Sequence, residues 1–307
     1  MIAGPIIRYH DIAEQLINRS TTMEDFHVGI RRFIVGLGKK VLIADSMAPV
    51  ADQVFSSHHL TPAQAWLGAT AYAFQIYFDF SGYSDMAIGM GRMFGFHILE
   101  NFNYPYISSS MTEFWHRWHI SLSRWFRDYL YIPLGGNRKG KSRTYLNLLI
   151  VFFLCGLWHG ASWCFVAWGL YHGAFLILER DGFSRILSAV PRPVRHAYAL
   201  LVILIGWVLF RSETVLQSIT MLRAMCGLGT APIPDMTTSH AFTIAYLAAI
   251  LGSMPTWSWT RARTDDIPRS IRFAFSTSAT LAHAAILLLS IAAISASTST
   301  PFLYYRF

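Results

Sequence analysis

The sequence predicts an all-α, polytopic integral membrane protein built from short, broken and re-entrant helices. Three observations predict this class. The 307-residue chain is 53% hydrophobic and only 14% charged, whereas a soluble domain averages roughly 25% charged residues. Apolar runs recur along the whole chain. Most of these runs are shorter than the roughly 20 residues of a straight crossing, so their backbone must be buried in protein.

Polar residues interrupt the apolar runs at two places, and we predict broken or re-entrant helices at both. The flanking runs are Ala65–Phe78 and Met86–Phe96 around DFSGYSD, and Tyr145–Leu157 and Ala161–Leu178 around WHG. Residues 194–211 and Phe273–Ser295 are long enough to span a bilayer. The stretch GIRRFIVGLGKKVLIAD (29–45) places cations beside short apolar patches, which predicts one or two interfacial helices.

The chain has a net charge of +8, and its cationic residues lie between the apolar runs rather than on one polar face. This pattern argues against nucleic-acid binding and is typical of cytoplasmic loops that follow the positive-inside rule. We therefore expect residues 137–143, 180–195 and 261–272 in the cytoplasm. The paired runs between them then enter the membrane and return, with His159 deep at the apex. The C-terminal PFLYYRF would lie outside the cytoplasm.

One stretch, EFWHRWHISLSRWFRDYLYIPLGGN (113–137), is too charged to span a membrane and too aromatic for a solvated loop. Ser110 and Glu113 fit a capping box, so a helix should begin at about Met111 and end before Pro133. Its aromatic stripe predicts a helix lying in the membrane plane. His119 falls on that stripe, where a lone histidine is more often structural than catalytic.

His159, in GLWHGASW (156–163), is the strongest catalytic candidate from the residues alone. An ionisable group deep in an apolar run is costly and indicates function, and a neutral imidazole is suited to general-base catalysis. A structural hydrogen bond between helices is the alternative. We expect Gly156 and Gly160 to let a substrate approach the ring.

Other interpretations of nearby residues are weaker. A Cys155–His159 nucleophilic pair is possible at this spacing, but cysteine in apolar surroundings is usually inert. His116 and His119 could share a metal ion, yet no further ligands with a recognisable spacing accompany them, so no metal site is predicted.

Three further ionisable residues lie in apolar segments. For Asp79 and Asp85 we favour pairing with arginines or backbone over a proton relay. His172, in LYHG, is expected to be structural.

Six ordered blocks together resemble the membrane-bound O-acyltransferases, and most closely their bacterial alginate O-acetyltransferase branch. The blocks are AGPIIRY (3–9), FDFSGYSDMAIGMG (78–91), ENFNYPY (100–106), residues 113–137, GLWHGASW (156–163) and the terminal FLYYRF. The D-alanyl transferases of teichoic acid share a version of the RWHISLS block. The continuation YIPLGGN favours the acetyltransferase branch.

This resemblance implies helices around a central funnel in which a cytosolic acyl donor meets an acceptor from the far side. It maps the catalytic histidine of the family onto His159 and the second functional histidine onto His119. Arg117, Arg124 and Arg127 would meet the phosphates of the donor, acetyl-CoA or another acyl thioester. No permanently bound cofactor is implied.

The implied function is O-acetylation of an extracytoplasmic polysaccharide such as alginate by a multi-pass protein of the inner membrane. Membrane lipid, an extracytoplasmic acetyltransferase and polysaccharide export machinery are the expected partners. Residues 1–307 are expected to form a single domain that lacks the N-terminal helices of the family. D-alanyl transfer to teichoic acid and a non-enzymatic carrier with buried His and Asp are the alternatives.

Overall fold

The computed structural model describes residues 4–57, 59–229, 236, 238–255 and 269–296, the last range in side-chain detail from residue 276. Within these ranges the regular structure is helical and no strand occurs, which confirms the all-α class. The predicted cytoplasmic cations at 261–268 and the terminal PFLYYRF lie outside the described residues.

The helices include one much longer than the sequence predicts and several much shorter. In chain order they are Tyr9–Ile17 (α1), Met23–Gly38 (α2), Asp45–Phe55 (α3), Pro62–Met93 (α4), Met111–Arg117 (α5), Ile120–Phe126 (α6), Lys141–His159 (α7), Trp163–Leu178 (α8), Ser184–Ala189 (α9), Arg192–Arg211 (α10), Val215–Arg223 (α11), His240–Gly252 (α12) and Arg269–Ala296 (α13). Single π-helical stretches follow four of them, at Lys39–Ala44, Arg127–Tyr131, Glu179–Phe183 and Ala224–Leu228.

Two described helices are long and apolar enough to cross a membrane, judged by length and composition. They are Arg192–Arg211 and Ser276–Ala296, with mean hydropathies of 1.7 and 2.0. Both coincide with the runs that the sequence marks as long enough to span. The second is almost entirely exposed on the protein surface, as a helix facing lipid would be.

The chain divides into two compact units, each described here by itself. The first unit comprises residues 1–47, 74–104 and 239–306, and the second comprises residues 48–73 and 105–238. Helix α4 contributes its N-terminal part to the second unit and its C-terminal part to the first.

In the first unit, α2 and α4 approach each other through two pairs of glycines. A Cβ atom added to Gly29 would lie 2.6 Å from the carbonyl oxygen of Gly89, and one added to Gly36 would lie 2.6 Å from that of Gly82. The glycines recur every seven residues on both helices, so they lie on one face of each. Small residues at such positions let membrane helices pack backbone to backbone.

Buried ion pairs explain why α4 is continuous. Lys40 Nζ lies 2.7 Å from Asp79 and 2.6 Å from Asp45, while Asp85 pairs with Lys39 at 2.6 Å and with Arg32 at 2.8 Å. The acids of DFSGYSD are thus neutralised, and the helix runs unbroken through them for 32 residues. The predicted break at residues 79–85 is therefore wrong. Asp85 pairs with an arginine as predicted, whereas the charged partner of Asp79 is a lysine.

The same contacts correct the prediction for residues 29–45. The stretch is helical, but Lys40 is only 6% exposed and points inward to Asp79. Lys40 is therefore packed inside the first unit, and the predicted row of surface cations does not include it.

In the second unit, α7 and α8 form a helical hairpin. Helix α7 ends at His159 and α8 begins at Trp163, where the Ser162 hydroxyl caps it by accepting the Cys164 N–H at 3.3 Å. The two apolar runs thus form the predicted pair of helices with WHG at the apex. Helix α10 packs against α8, with Trp168 and Trp207 stacked at a ring separation of 6.4 Å.

Candidate functional site

The segment that carries His119 is two short helices rather than one. The Ser110 hydroxyl accepts the Glu113 N–H at 3.0 Å, so α5 begins at Met111 as the capping box predicts. It ends at Arg117, however, because Trp118 is extended and His119 is left-handed, with φ 41° and ψ 56°. The predicted continuous in-plane helix is wrong at this point.

The break turns His119 into the protein. Its side chain is 3% exposed, and its Nδ1 lies 3.4 Å from the Ser121 hydroxyl oxygen. The flanking helices have seven residues each, too few to span a membrane. Burial holds the pKa of His119 well below its usual value, and the nearby His159 lowers that pKa further. The imidazole is therefore neutral at physiological pH and carries one N–H.

His159 ends α7, and the residue as a whole is half-buried. Its centroid lies 5.1 Å from that of Trp168 and 5.0 Å from that of Phe210, with both rings edge-on. Trp158 lies 5.0 Å away on the same turn. Aromatic walls surround the imidazole at the hairpin apex.

The glycines beside His159 have a different role from the one expected. A Cβ atom at Gly156 would collide with the Phe165 carbonyl oxygen, and one at Gly160 would lie 2.7 Å from the Phe165 ring. Helix α8 thus fills the space that we expected a substrate to use, and the prediction for both glycines is wrong. They allow the hairpin to close tightly.

His172 lies among the same aromatic rings as His159. We use the name aromatic cluster for His119, His159, His172 and the rings around them. The His172 ring stacks on Phe114 at 6.2 Å and meets Trp115 edge-on at 5.3 Å. These contacts tie α8 to α5, the helix that leads into His119. The structure thus places three histidines in one region of the second unit.

The sequence reasoning missed Glu179, which is 2% exposed. Its carboxylate accepts the backbone N–H groups of Met111 and Thr112 at 2.6 and 2.9 Å and the Thr112 hydroxyl at 2.6 Å. Tyr198 donates a further hydrogen bond at 3.2 Å. An acid that directly follows the apolar run 161–178 was the available signal, because such a group is expensive unless it is paired.

A cavity of about 330 Å³ lies beside the cluster. Three basic side chains line it, those of His116, Arg124 and Arg127. Arg127 pairs with Asp128 at 2.7 Å, and Arg117, which does not line the cavity, pairs with Glu113 at 2.9 Å. The rest of the lining is mostly apolar and comes from Trp115, Ile120, Leu122, Ser123, Phe126, Tyr131, Leu148, Val151, Phe152, Cys155 and Leu176.

One face of α7 connects this cavity to His159. Leu148, Val151, Phe152 and Cys155 recur at helical spacing along that face, and His159 follows one turn later. At 1.5 Å per residue, Leu148 and His159 are roughly 16 Å apart along the axis. Cys155 is 4% exposed, and such apolar burial opposes formation of a nucleophilic thiolate.

No metal centre accompanies these histidines in the part of the chain that the structure describes. Within it, no three His, Cys, Asp or Glu side chains are grouped so that they could hold an ion. His116 is exposed, and its Nδ1 lies 2.7 Å from the Thr112 carbonyl oxygen.

Comparison with known proteins gives consistent matches. The model of the MBOAT, membrane-bound O-acyltransferase family, matches residues 1–220. The probable alginate O-acetylase AlgI of Azotobacter vinelandii is 43% identical, over 100% of this chain and 67% of that protein. The protein of the same description from Pseudomonas syringae pv. tomato is 52% identical, over 75% of this chain and 44% of the relative. A teichoic acid D-alanyltransferase of Streptococcus thermophilus is 33% identical, over 64% of this chain and 50% of that protein.

Proposed function

We propose the following reaction for this chain, which belongs to the membrane-bound O-acyltransferase family. The chain transfers acetyl groups from a cytosolic acyl thioester, such as acetyl-CoA, for O-acetylation of an extracytoplasmic polysaccharide such as alginate. The chain spans about two thirds of the length of one alginate O-acetylase and under half of another. The activity is therefore proposed for the residues that are present here, with His159 and His119 in the central roles.

The observation that carries the proposal is the meeting of His119 and His159 in one aromatic cluster. The two residues are 40 positions apart in the sequence, yet ring contacts link them. Trp118, the neighbour of His119, lies 4.7 Å from Trp207, and Trp207 lies 5.7 Å from Phe210, which contacts His159 at 5.0 Å. The first is buried and neutral, and the second is half-buried at a hairpin apex. A buried hydrogen-bond donor beside a more accessible base is the arrangement that acyl transfer needs.

The cavity supports a site for the thioester donor. Arg124 and Arg127 supply charged groups suited to phosphates, and the apolar face of α7 suits the uncharged arm of such a donor. That face leads toward His159. A donor bound by its phosphates at the arginines would thus present its thioester at the cluster.

In the transfer step, His159 accepts the proton of the attacking hydroxyl as its oxygen bonds to the thioester carbonyl carbon. His119 donates its N–H to the oxygen that becomes negative in the tetrahedral intermediate. The carbon–sulfur bond then breaks, the carbonyl re-forms, and the departing thiolate takes the proton from His159. The products are an acetyl ester and a free thiol. A positioned base contributes roughly 10²–10⁴-fold to such a rate.

We place this reaction in the inner membrane, in a multi-pass chain surrounded by lipid. The two candidate spans and the membrane family support this location. Beyond the membrane, the proposal includes an extracytoplasmic acetyltransferase that receives the acetyl group and the export machinery of the polymer. The expectation for these partners comes from the family resemblance.

The experiment below also distinguishes two alternative functions. D-alanyl transfer is the weaker one, because the teichoic acid enzyme shares 33% identity while the alginate O-acetylases share 43–52%. A carrier would use buried acids as a solute path, but Asp79 is already paired with Lys40.

The test uses cells that make the polysaccharide and lack their own acetylase. The unaltered chain should restore polymer acetyl esters, measured by NMR of purified polymer, and His159→Ala or His119→Ala should abolish them at equal membrane levels. His27→Ala, an exposed histidine of the first unit, is the matched control and should retain full activity. Full acetylation by His159→Ala would refute the mechanism. D-alanine esters would favour the first alternative, and Asp79-dependent solute transport without acyl transfer would favour the second.

A further inference from the structure

His172 has no role in the reaction described above, although its position is unusual. The side chain is 1% exposed, and its Nδ1 has no hydrogen-bond partner among the protein groups that the structure describes. A buried polar atom without a partner is destabilising. An apolar side chain would avoid that cost at this position, so the imidazole indicates a ligand.

Two neighbouring indoles share the same property. The Nε1 atoms of Trp115 and Trp168 are buried, and neither has a hydrogen-bond partner within the described ranges. The ring centroids of these tryptophans lie 5.8 Å apart, and they lie 5.3 and 5.2 Å from His172. Three polar nitrogen atoms without partners are therefore carried by three rings in mutual contact.

The chemistry of the three groups is complementary to that of one small hydroxylic molecule. An indole N–H can only donate, whereas the unprotonated nitrogen of a neutral imidazole accepts. Water has two lone pairs and two O–H groups. One water molecule therefore has the groups needed to accept from both indoles and to donate to Nδ1.

Helix α10 is shaped to admit the imidazole. A Cβ atom at Gly206 would lie 2.6 Å from Nε2 of His172, so a larger residue at 206 would displace the ring. On its other side, Trp168 separates His172 from His159, with centroid distances of 5.2 and 5.1 Å. Whatever fixes the Trp168 indole thus fixes one wall of the His159 site.

We propose that His172 is a positioning residue that binds one buried water molecule together with the indole N–H groups of Trp115 and Trp168. The water holds the Trp168 ring in place and so orients His159 for proton transfer. The effect on catalysis rests on the proposed function, whereas the water site does not.

Substitutions of His172 distinguish this role from simple packing. His172→Asn keeps a polar atom near the place of Nδ1, whereas His172→Phe and the smaller His172→Leu fill the site without one. The proposal predicts near-normal acetylation by the Asn variant. The Phe and Leu variants should lose on the order of tenfold to a hundredfold in kcat with KM for the thioester unchanged, because His159 is misplaced. A packing role predicts the reverse order, and an active Phe or Leu variant beside an inactive Asn variant would overturn the proposal.

A second measurement does not depend on activity. An experimental structure of the unaltered chain in lipid nanodiscs, at a resolution that shows ordered solvent, should contain a water within hydrogen-bonding distance of Nδ1 and both indole nitrogens. His172→Leu should lose it. A dry site, or protein atoms bonded to Nδ1, would refute the proposal. If the unaltered chain acetylates nothing yet the water is present, the proposed function fails and the water site stands.

Discussion

The Glu179 carboxylate and the backbone of Met111 are joined by a hydrogen bond of 2.6 Å that crosses 68 residues of sequence. The same carboxylate accepts the Thr112 N–H and hydroxyl, so it caps the first turn of α5 from another helix. A negative group at a helix N-terminus also interacts favourably with the helix dipole. The position of α5, and with it the break at His119, depends on this contact.

Substituting Glu179→Gln should therefore destabilise the protein and reduce acetylation. The amide leaves one acceptor oxygen for four donors, and its NH₂ group faces a backbone N–H or a hydroxyl. We expect a loss of about 1–3 kcal/mol in the free energy of unfolding, measured by thermal denaturation in detergent. Glu213→Gln, at an exposed acid elsewhere in the second unit, is the control and should change stability little. Equal stability of the Gln variant and the unaltered protein would contradict the capping role.

The left-handed backbone of His119 predicts a difference between two inactive variants. Glycine adopts this conformation without strain, whereas alanine is strained there by roughly 1–2 kcal/mol. His119→Gly and His119→Ala should both lose acetylation, but the Gly variant should unfold at the higher temperature. An Ala variant as stable as the Gly variant would show that the backbone at residue 119 is not held left-handed.

Removing the guanidinium of Arg124 should weaken donor binding. A charge-assisted hydrogen bond contributes about 1.5–3 kcal/mol, so Arg124→Ala should raise KM for the acyl thioester by about tenfold or more, with kcat little changed. Arg124→Lys should restore binding only in part, because lysine lacks the planar fork. Arg138→Ala, in the exposed loop outside the cavity lining, is the control. An unchanged KM in Arg124→Ala would place the phosphates elsewhere.

The Lys40–Asp79 pair should behave as a coupled unit. Lys40→Met alone leaves the buried carboxylate of Asp79 without this counter-ion and should cost about 3–5 kcal/mol. Lys40→Met combined with Asp79→Leu removes both charges and should recover the part of that loss that comes from Asp79. The part that comes from the lost Lys40–Asp45 pair remains. Equilibrium unfolding in detergent provides all the values of the cycle. Additive losses in the double variant would mean that the two side chains do not interact.

Protonation of the Glu113 carboxylate should make the folded protein less stable in acid. Burial raises the pKa of this carboxyl, but hydrogen bonds from the Ser109 N–H and hydroxyl and from Arg117 outweigh burial and lower it below its ordinary value. A lowered pKa means that the stabilisation is present above the pKa of the unfolded chain, about 4.3, and disappears as the pH falls through the folded value. Glu113→Gln should show a smaller loss of stability below about pH 4.3 than the unaltered protein does. Identical acid profiles would show that Glu113 does not contribute.

Local patterns predicted the features that depend on neighbours in sequence. Apolar length identified the two candidate spans, the Ser110–Glu113 spacing gave the start of α5, and the WHG insert gave the hairpin apex. The resemblance supplied the roles of His119 and His159, and the structure places both in one cluster. Each of these signals lies within a few residues of the feature that it predicts.

The features that could not be predicted depend on distant partners. The polar insert at 79–85 predicts a break only until Lys40 is known to face Asp79, 39 residues away. The positive φ of His119 has no sequence signal, because positive φ is uncommon for any residue other than glycine, even for histidine. Glu179 caps a helix that lies 62 residues before it in the chain, so no capping pattern near α5 shows it.

The ion pairs between the two glycine-packed helices have a consequence for biogenesis. An unpaired Lys40 or an unpaired Asp79 is expensive to place in hydrocarbon. The segment that carries either residue is therefore unfavourable in lipid on its own. Both charges become cheaper to bury once they are paired, and the glycine faces let the two helices approach closely. A chain shortened before residue 79 should therefore enter the bilayer less readily than one that contains both segments.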